Sequence, residues 1–457
     1  MVVGAISSRT ELAVIGAGPG GYVAALRAAD AGLDVTLIDR AELGGTCLNV
    51  GCIPSKALIE IAQLRHNALT ACDRGLTAQV GVDAVAISNH LSAVSRRLRG
   101  GIAALLQDAG VTVVAGTASF ARYDRLSIAD NNNVQHLEFD NAIIATGSRP
   151  MMLDAFPLDE RTVSSTGALA LSVVPHTMSV IGGGYIGVEL GTAWAKLGAI
   201  VTIVEAAASI LPHVSPSLRQ PVERRLNDLG ITVLTGVMAD HPTDQGLVLD
   251  TGHELAAEII VVAVGRRPNS DEASIETLGL TIDEGGHILV DAQMRAKQGI
   301  FAIGDLTPGP ALAHKASAQA ETAVNAILGG SHTFTPAAIP EVIFSDPEIL
   351  SVGVSLDDVS AHGLTRHRFP HVASARAHTI DKTAGATYVI ADDQGTVVGV
   401  HAVGPHVSEL AGEAALAIEM AATVEDLAGT IHPHPTMSES VAEASWLATG
   451  HPLHVRR

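Results

Sequence analysis

The sequence predicts an α/β protein of about three domains, in which two units of one design, each a parallel sheet with helices, precede an α+β domain. Three observations carry this. The chain has 457 residues, beyond the roughly 100–200 of an ordinary domain. A pattern of apolar strand, glycine-rich turn, helix and second apolar strand occurs twice. From about Ala337 the pattern changes to alternating strands followed by a helical stretch.

The first copy runs from the strand Leu12 to Ile15 through Gly16-Ala17-Gly18-Pro19-Gly20-Gly21 and an Ala-rich helix to the strand Val35 to Ile38, which ends at Asp39. The second runs from Ser179 to Ile181 through Gly182-Gly183-Gly184-Tyr185-Ile186-Gly187 and a helix to about Leu197, then Val201 to Val204, ending at Glu205. Two further apolar strands, Asn141 to Ala145 and Glu258 to Val264, stop at Thr146-Gly147-Ser148-Arg149-Pro150 and Gly265-Arg266-Arg267-Pro268, which read as domain crossings. A strand from Ile300 to Ile303 leads into Gly304-Asp305, and the last domain is expected to contain strands Val389 to Ala391 and Val397 to Val403 and a helical Glu409 to Ala422. The division expected is 1–149, 150–269, 270–336 returning to the first unit, and 337–457.

Composition narrows the function classes. Apolar residues make up 47% of the chain, charged residues 17% and aromatics 3%, a globular rather than disordered profile. The formal net charge of −20 argues against general affinity for nucleic acid or anionic membrane. No window of about 20 residues is continuously apolar, and Met1 to Glu11 lack an apolar segment of export-signal length. Three cysteines cannot form a stapling framework, so a cytoplasmic, reducing compartment is expected and any disulfide would be catalytic.

A glycine turn opening a helix suits phosphate: small residues let the backbone approach closely, and the helix N-terminus offers free N–H groups and positive dipole. The acid ending the following strand accepts from a ribose hydroxyl, so both units read as Rossmann-like dinucleotide-binding domains. Glu205 would repel a 2′-phosphate, and Ala206-Ala207-Ala208 supply no arginine for one, which favours NAD over NADP.

The segment Gly44-Gly45-Thr46-Cys47-Leu48-Asn49-Val50-Gly51-Cys52-Ile53-Pro54-Ser55-Lys56 holds two of the three cysteines. On a regular helix residues five apart have Cα atoms roughly 8–9 Å apart, whereas a disulfide needs about 4.4–6.8 Å, so the backbone must bend. Gly51 and Pro54 make a distorted helix start the expected form, and a thiolate near a helix N-terminus is stabilised by the dipole. Cys72 stands alone and reads as structural. Near the C-terminus, His434 lies beside proline with Glu439 a few residues on, a pattern in which the carboxylate fixes the imidazole tautomer and lets it act as a base. No stretch supplies enough ligands for a metal.

Together these motifs resemble the flavin disulfide reductase family, and within it the dihydrolipoamide dehydrogenases. The resemblance runs nearly end to end, through Gly16-x-Gly18-x-x-Gly21, the cysteine segment, Ala145-Thr146-Gly147, Gly182-x-Gly184-x-x-Gly187 with Glu189, Val264-Gly265-Arg266-Arg267-Pro268-Asn269, Ile303-Gly304-Asp305, Ala313-His314-Lys315 and His434-Pro435-Thr436-x-Ser438-Glu439. It implies FAD on the first fingerprint with Asp39 at the ribose and Asp305 at the ribityl chain, contacts from Gly45, Thr46, Thr146 and Gly147, and NAD on the second with Glu205 and Gly265. It implies a Lys56–Glu189 ion pair beside the flavin, Cys47 as the interchange thiol and Cys52 as the thiol facing the flavin. His434, held by Glu439, would be a base reaching the disulfide of the other subunit, so 337–457 would be a dimerisation domain and the enzyme a homodimer. Its partners would be the lipoyl and subunit-binding domains of an E2 acyltransferase, or a lipoylated H protein.

Several positions depart from the family pattern. Asp39 replaces the more usual Glu, Ala316-Ser317-Ala318-Gln319-Ala320 replaces an acidic-Gly ending, and Tyr185 is bulkier than usual and could gate the nicotinamide pocket. The end, His451-Pro452-Leu453-His454-Val455, resembles forms serving branched-chain 2-oxo acid complexes. The alternatives are an NADPH-dependent reductase of glutathione reductase type, against which Glu205 counts, and a non-catalytic subunit, against which Cys47, Cys52, His434 and Glu439 count. A mercuric reductase would be expected to carry a C-terminal cysteine pair, which this chain lacks.

Overall fold

The computed structural model describes residues 7–130 and 133–455; residues 1–6, part of the stretch read above as lacking an export segment, lie outside. The first sheet has eight strands. Its parallel centre sets Ile300–Ala302, Val134–Ile144, Ser7–Ile15, Val35–Asp39 and Thr112–Ala115 side by side. A hairpin, Thr117–Arg122 and Arg125–Ala129, extends Val134–Ile144 antiparallel. Strands covered by packing on both faces read as unbroken apolar runs, and the first strand shows why: Leu12 and Val14 enter one core with Leu37 and Ile143, while Ala13 and Ile15 enter another with Ile38 and Ala142.

The second sheet is wholly parallel, in the order Thr232–Thr235, Ile200–Glu205, Thr177–Ile181, Ile259–Val262, Thr162–Ser164. The two crossings expected from the sequence pair with each other, Ser148–Pro150 running antiparallel to Arg266–Pro268. The third sheet is antiparallel, in the order Glu341–Ile343, Glu348–Gly353, Val397–Gly404, Ala386–Ala391, Thr365–Pro370.

One core joins all three units: Leu58 and Ala62 of the helix Cys52–Leu69 pack in a cluster with Val188 and Trp194 of the helix Tyr185–Leu197 and with Ile349 and Tyr388 of the third sheet. This cluster sets the cysteine segment against the second glycine unit.

The expected helix from Glu409 to Ala422 is shorter, a 3₁₀ turn Val407–Leu410 followed by Ala411–Glu419. It stops because Ala421 turns left-handed, at φ 48°, and the Ala422 N–H closes back on the Ala417 carbonyl at 2.8 Å. That C-terminal wrap is ordinarily announced by glycine, and alanine gives no such signal. No helix among the described residues is long and apolar enough to cross a membrane.

Candidate active site

The two glycine turns share the same local features. Gly16 and Gly182 have φ of 103° and 106°, and a Cβ there would lie 2.3 Å from the Ala145 carbonyl oxygen and 2.4 Å from that of Ala263. A Cβ on Gly21 or Gly187 would fall 1.8 or 1.9 Å from the carbonyl oxygen that opens its own turn. Gly18 and Gly184 are extended N-caps with no side-chain capping bond, so the first-turn N–H groups of the helices Pro19–Asp30 and Tyr185–Leu197 have no side-chain acceptor. The acids close both turns alike. Asp39 accepts from the Ala17 N–H at 2.6 Å and the Ala41 N–H at 2.8 Å; Glu205 accepts from the Gly183 and Ala207 N–H groups, both at 2.7 Å. An ionised carboxylate has about four lone-pair sites, so each acid retains capacity for a ribose hydroxyl.

The cysteine segment bends as its spacing requires. A short helix, Gly45–Val50, carries Cys47; the chain breaks at Gly51, with φ −135° and ψ −115°, and a second helix starts at Cys52. A Cβ at Gly51 would lie 2.9 Å from the Thr46 carbonyl oxygen, so the break needs glycine. Cys47 and Cys52 stand on either side of this break. They are hydrogen-bonded to each other, which pushes the Cys47 thiol strongly up and the Cys52 thiol down. Lys56 adds to the lowering at Cys52, against burial and the charge of Glu189. Of the two sulfurs, Cys52 is the one whose charged form Cys47 and Lys56 favour.

Lys56 sits one helical turn beyond Cys52. Its Nζ lies 2.8 Å from Glu189 Oε2, and Glu189 is almost fully buried on the helix Tyr185–Leu197. The expected ion pair is therefore present, and it has a partner that sequence reasoning missed. Phe344, at the edge of the third sheet, donates its N–H to Glu189 Oε1 at 2.9 Å and sets its ring 4.8 Å from Lys56 Nζ. No motif marks Phe344. Tyr185, one turn before Glu189, is 44% exposed at the helix N-terminus. Local burial pushes its phenol up to about 12, with Cys52, Glu189 and Asp305 adding to the rise and Arg266 opposing it.

Asp305 accepts from Ser148 Oγ at 2.5 Å, and Arg266 donates to the same hydroxyl at 2.8 Å, so both crossings converge on this carboxylate. Asn269 clasps the Thr146-Gly147 turn by donating from Nδ2 to the Thr146 carbonyl at 2.8 Å and from its N–H to the Gly147 carbonyl at 2.9 Å. Gln319, in the stretch that departs from the family pattern, is buried and accepts from the Gly304 N–H at 2.7 Å. That departure preserves the loop carrying Asp305. Gly265, with φ 121°, turns the chain into the second crossing.

His434 presents Nδ1 to Glu439 Oε1 at 2.9 Å, while Glu439 Oε2 accepts the Thr436 N–H at 2.9 Å. Its side chain is 69% exposed, so the ring projects from the protomer with Nε2 outward. That carboxylate belongs to the first residue of the helix Glu439–Ala448. Cys72 is exposed on a 3₁₀ turn following the cysteine helix. Among the described residues no group of three or more His, Cys, Asp and Glu side chains is placed to hold a metal ion.

Two dinucleotide-binding turns, a dithiol between them and an imidazole–carboxylate pair on a separate antiparallel domain define a class of two-nucleotide thiol oxidoreductase. The chain belongs to the pyridine nucleotide-disulphide oxidoreductases: residues 10–320 match that family and residues 339–445 match its dimerisation domain. It is 43% identical to the dihydrolipoyl dehydrogenase of Halobacterium salinarum, over 99% of each chain. It is 41% identical to that of Geobacillus stearothermophilus, over 100% of this chain and 99% of the other. Among solved structures it resembles LpdA from Mycobacterium tuberculosis, with a TM-score of 0.90 at 27% identity over 96% of this chain and 99% of that one.

Proposed function

We infer that the protein is an FAD-dependent dihydrolipoamide dehydrogenase that oxidises a protein-bound dihydrolipoyl group and delivers the electrons to NAD⁺. The observation that carries this reading is the Cys47–Cys52 pair, bent at Gly51 and held one turn from the Lys56–Glu189 ion pair. FAD would be held by Gly16, Gly18, Gly21, Asp39, Gly45, Thr46, Thr146, Gly147 and Asp305, with Lys56 and Glu189 beside it. NAD would be held by Gly182, Gly184, Gly187, Glu205 and Gly265. The turns fit such ligands because their helix N-termini carry no side-chain cap, and because Gly16, Gly21, Gly182 and Gly187 let each turn close where a Cβ would strike a backbone carbonyl oxygen.

In the oxidised pair, the partner subunit's His434 takes a proton at Nε2 from one substrate thiol, while Glu439 at Nδ1 keeps the imidazole in the required tautomer and stabilises its charge. The substrate thiolate attacks the Cys47 sulfur, the disulfide breaks, and Cys52 leaves as the thiolate that Lys56 favours. The second substrate thiol then attacks the substrate sulfur bonded to Cys47, its proton passing to the departing Cys47, so that the substrate leaves as the cyclic disulfide with one proton on Cys47 and the other on His434. When bound, FAD supplies the two-electron relay from the dithiol to NAD⁺. Glu205, with the alanines after it, selects the nucleotide without a 2′-phosphate.

The substrate and partners follow from this chemistry: a lipoyl domain docked on the homodimer, within a cytoplasmic 2-oxo acid dehydrogenase complex or with an H protein. The His454-containing end, which folds back on Glu443, is the segment whose sequence resembles branched-chain forms. Anaerobic titration with dihydrolipoamide tests the reading. A long-wavelength thiolate-to-flavin absorption at two electrons per subunit supports it; flavin that dihydrolipoamide does not reduce rejects it.

A further inference from the structure

The Lys56–Glu189 pair does not stand on its own. Glu189 is nearly buried, and each of its carboxylate oxygens has a partner: Oε2 faces Lys56 at 2.8 Å and Oε1 accepts the Phe344 N–H at 2.9 Å. The aromatic ring of the same residue lies 4.8 Å from Lys56 Nζ, within the range of a cation–π contact. Phe344 therefore holds both members of the pair, the anion with its backbone and the cation with its side chain.

Phe344 directly follows the edge strand Glu341–Ile343 of the third sheet, and its position is fixed from the second unit. Two residues on, Asp346 accepts from Lys196 at 2.8 Å on the helix Tyr185–Leu197 and from Arg225 at 3.0 Å on the helix Pro216–Asp228. Lys196 is itself buried and donates to Gln63 of the cysteine helix at 2.6 Å. Although burial pushes the Asp346 carboxyl up, Lys196 and Arg225 outweigh it and hold the group well below the usual carboxylate range. The segment 344–346 is thus anchored to three helices, and Phe344 has little freedom to leave Lys56.

We propose that Phe344 is a positioning residue for the thiol chemistry: its ring face keeps the Lys56 ammonium over the turn that carries Cys52, and so favours the Cys52 thiolate. The groups acting on Cys52 are Cys47 and Lys56 from the cysteine segment and Glu189 and Tyr185 from the facing helix; Asp305 acts on Cys47 and Tyr185. Among these Lys56 is the cation, and it is the one Phe344 touches. A leucine at 344 keeps the backbone N–H to Glu189 and much of the apolar volume but removes the ring face. Lys56 then gains conformers directed to solvent, and its attraction for the thiolate weakens.

The inference rests on the dithiol reading above, and the test separates the two. In reduced holoenzyme, the pH dependence of Cys52 alkylation by iodoacetamide, located by peptide mass, reports the thiolate without reference to the flavin or to substrate. The expected result for Phe344→Leu is a midpoint raised on the order of half a pH unit, about a threefold loss of thiolate below the midpoint. Phe344→Tyr, which keeps a ring face, should titrate like wild type, and the long-wavelength absorption of the two-electron-reduced enzyme should follow the same midpoints. If the leucine variant fails to yield holoenzyme, Phe344→Met removes the ring as well and takes its place. Wild-type midpoints in the leucine or methionine variant would overturn the proposal; a wild-type enzyme that dihydrolipoamide does not reduce would instead overturn the function assigned above.

Discussion

The two glycine turns are nearly the same object, yet they are covered differently. At the first, the short helix of the cysteine segment lies directly on the turn: a Cβ on Gly45 would come within 2.6 Å of the Gly18 Cα. At the second, nothing lies within 4 Å of a Cβ built on Gly184, and the half-exposed Tyr185 follows at the first helical position, where the first turn has Pro19. The first turn is covered by the segment that carries the thiols, whereas the space beside Gly184 is open and is flanked by the half-exposed Tyr185. The difference matches a resident cofactor and an exchanging one, and it lies outside the fingerprints themselves.

The largest expected effect attacks the covering of the first turn. Cys52→Ser removes the leaving thiolate without altering either fingerprint, so dihydrolipoamide oxidation should fall by more than about a thousandfold while flavin stays bound, as its absorbance after gel filtration would report. Retained activity would sever the thiols from the reaction. His434→Gln touches neither turn, and should lower the dithiol-dependent rate by roughly 10²–10⁴. Mixed dimers of Cys52→Ser with His434→Gln sharpen the point: one intact site forms only if base and thiols come from different protomers, so mixing should restore activity well above either parent.

A change at the second turn should be milder and confined to nucleotide choice. Glu205→Ala removes the carboxylate that closes that turn onto Gly183, and the preference for NAD⁺ over NADP⁺ should shrink about tenfold, measured as a ratio of kcat/KM values. An unchanged ratio would place selectivity elsewhere.

The smallest effect concerns the joint between the two units. Arg225 donates to His66 Nε2 at 2.7 Å, which requires a neutral ring, and burial followed by the charge of Arg225 pushes His66 down to about 4. The unfolded chain takes up this proton near pH 6.5 and the folded chain only near 4, so stability should fall as pH drops through that window and be fully present above it. After discounting for partial exposure, this contributes on the order of 1–2 kcal/mol. Melting curves of His66→Gln against wild type between pH 7 and 4 would show it as a loss of slope.

The elements legible in the sequence were those with local signals. Both turns, their acids and the bend at Gly51 follow from glycine spacing and the reach of a disulfide, because the backbone there admits no alternative side chain. The Lys56–Glu189 pair was readable only through family resemblance, since 133 residues separate its members. Phe344 was not readable as a site residue at all, and Asn269 was marked only as the end of a motif: their contacts with the Lys56–Glu189 pair and with the distant Thr146-Gly147 turn are fixed by how the units pack. The end of the helix at Ala421 was missed because a left-handed residue need not be glycine.

The central claim is that electrons pass from a dihydrolipoyl dithiol to NAD⁺ through one site built between these turns. A steady-state assay of the purified holoenzyme with dihydrolipoamide, run in parallel with NAD⁺ and NADP⁺, tests it most directly. Fast NADH formation with little NADPH is the predicted result; an enzyme inert to dihydrolipoamide whose flavin is reduced only by NADPH would contradict the claim and point to a glutathione-reductase-like activity.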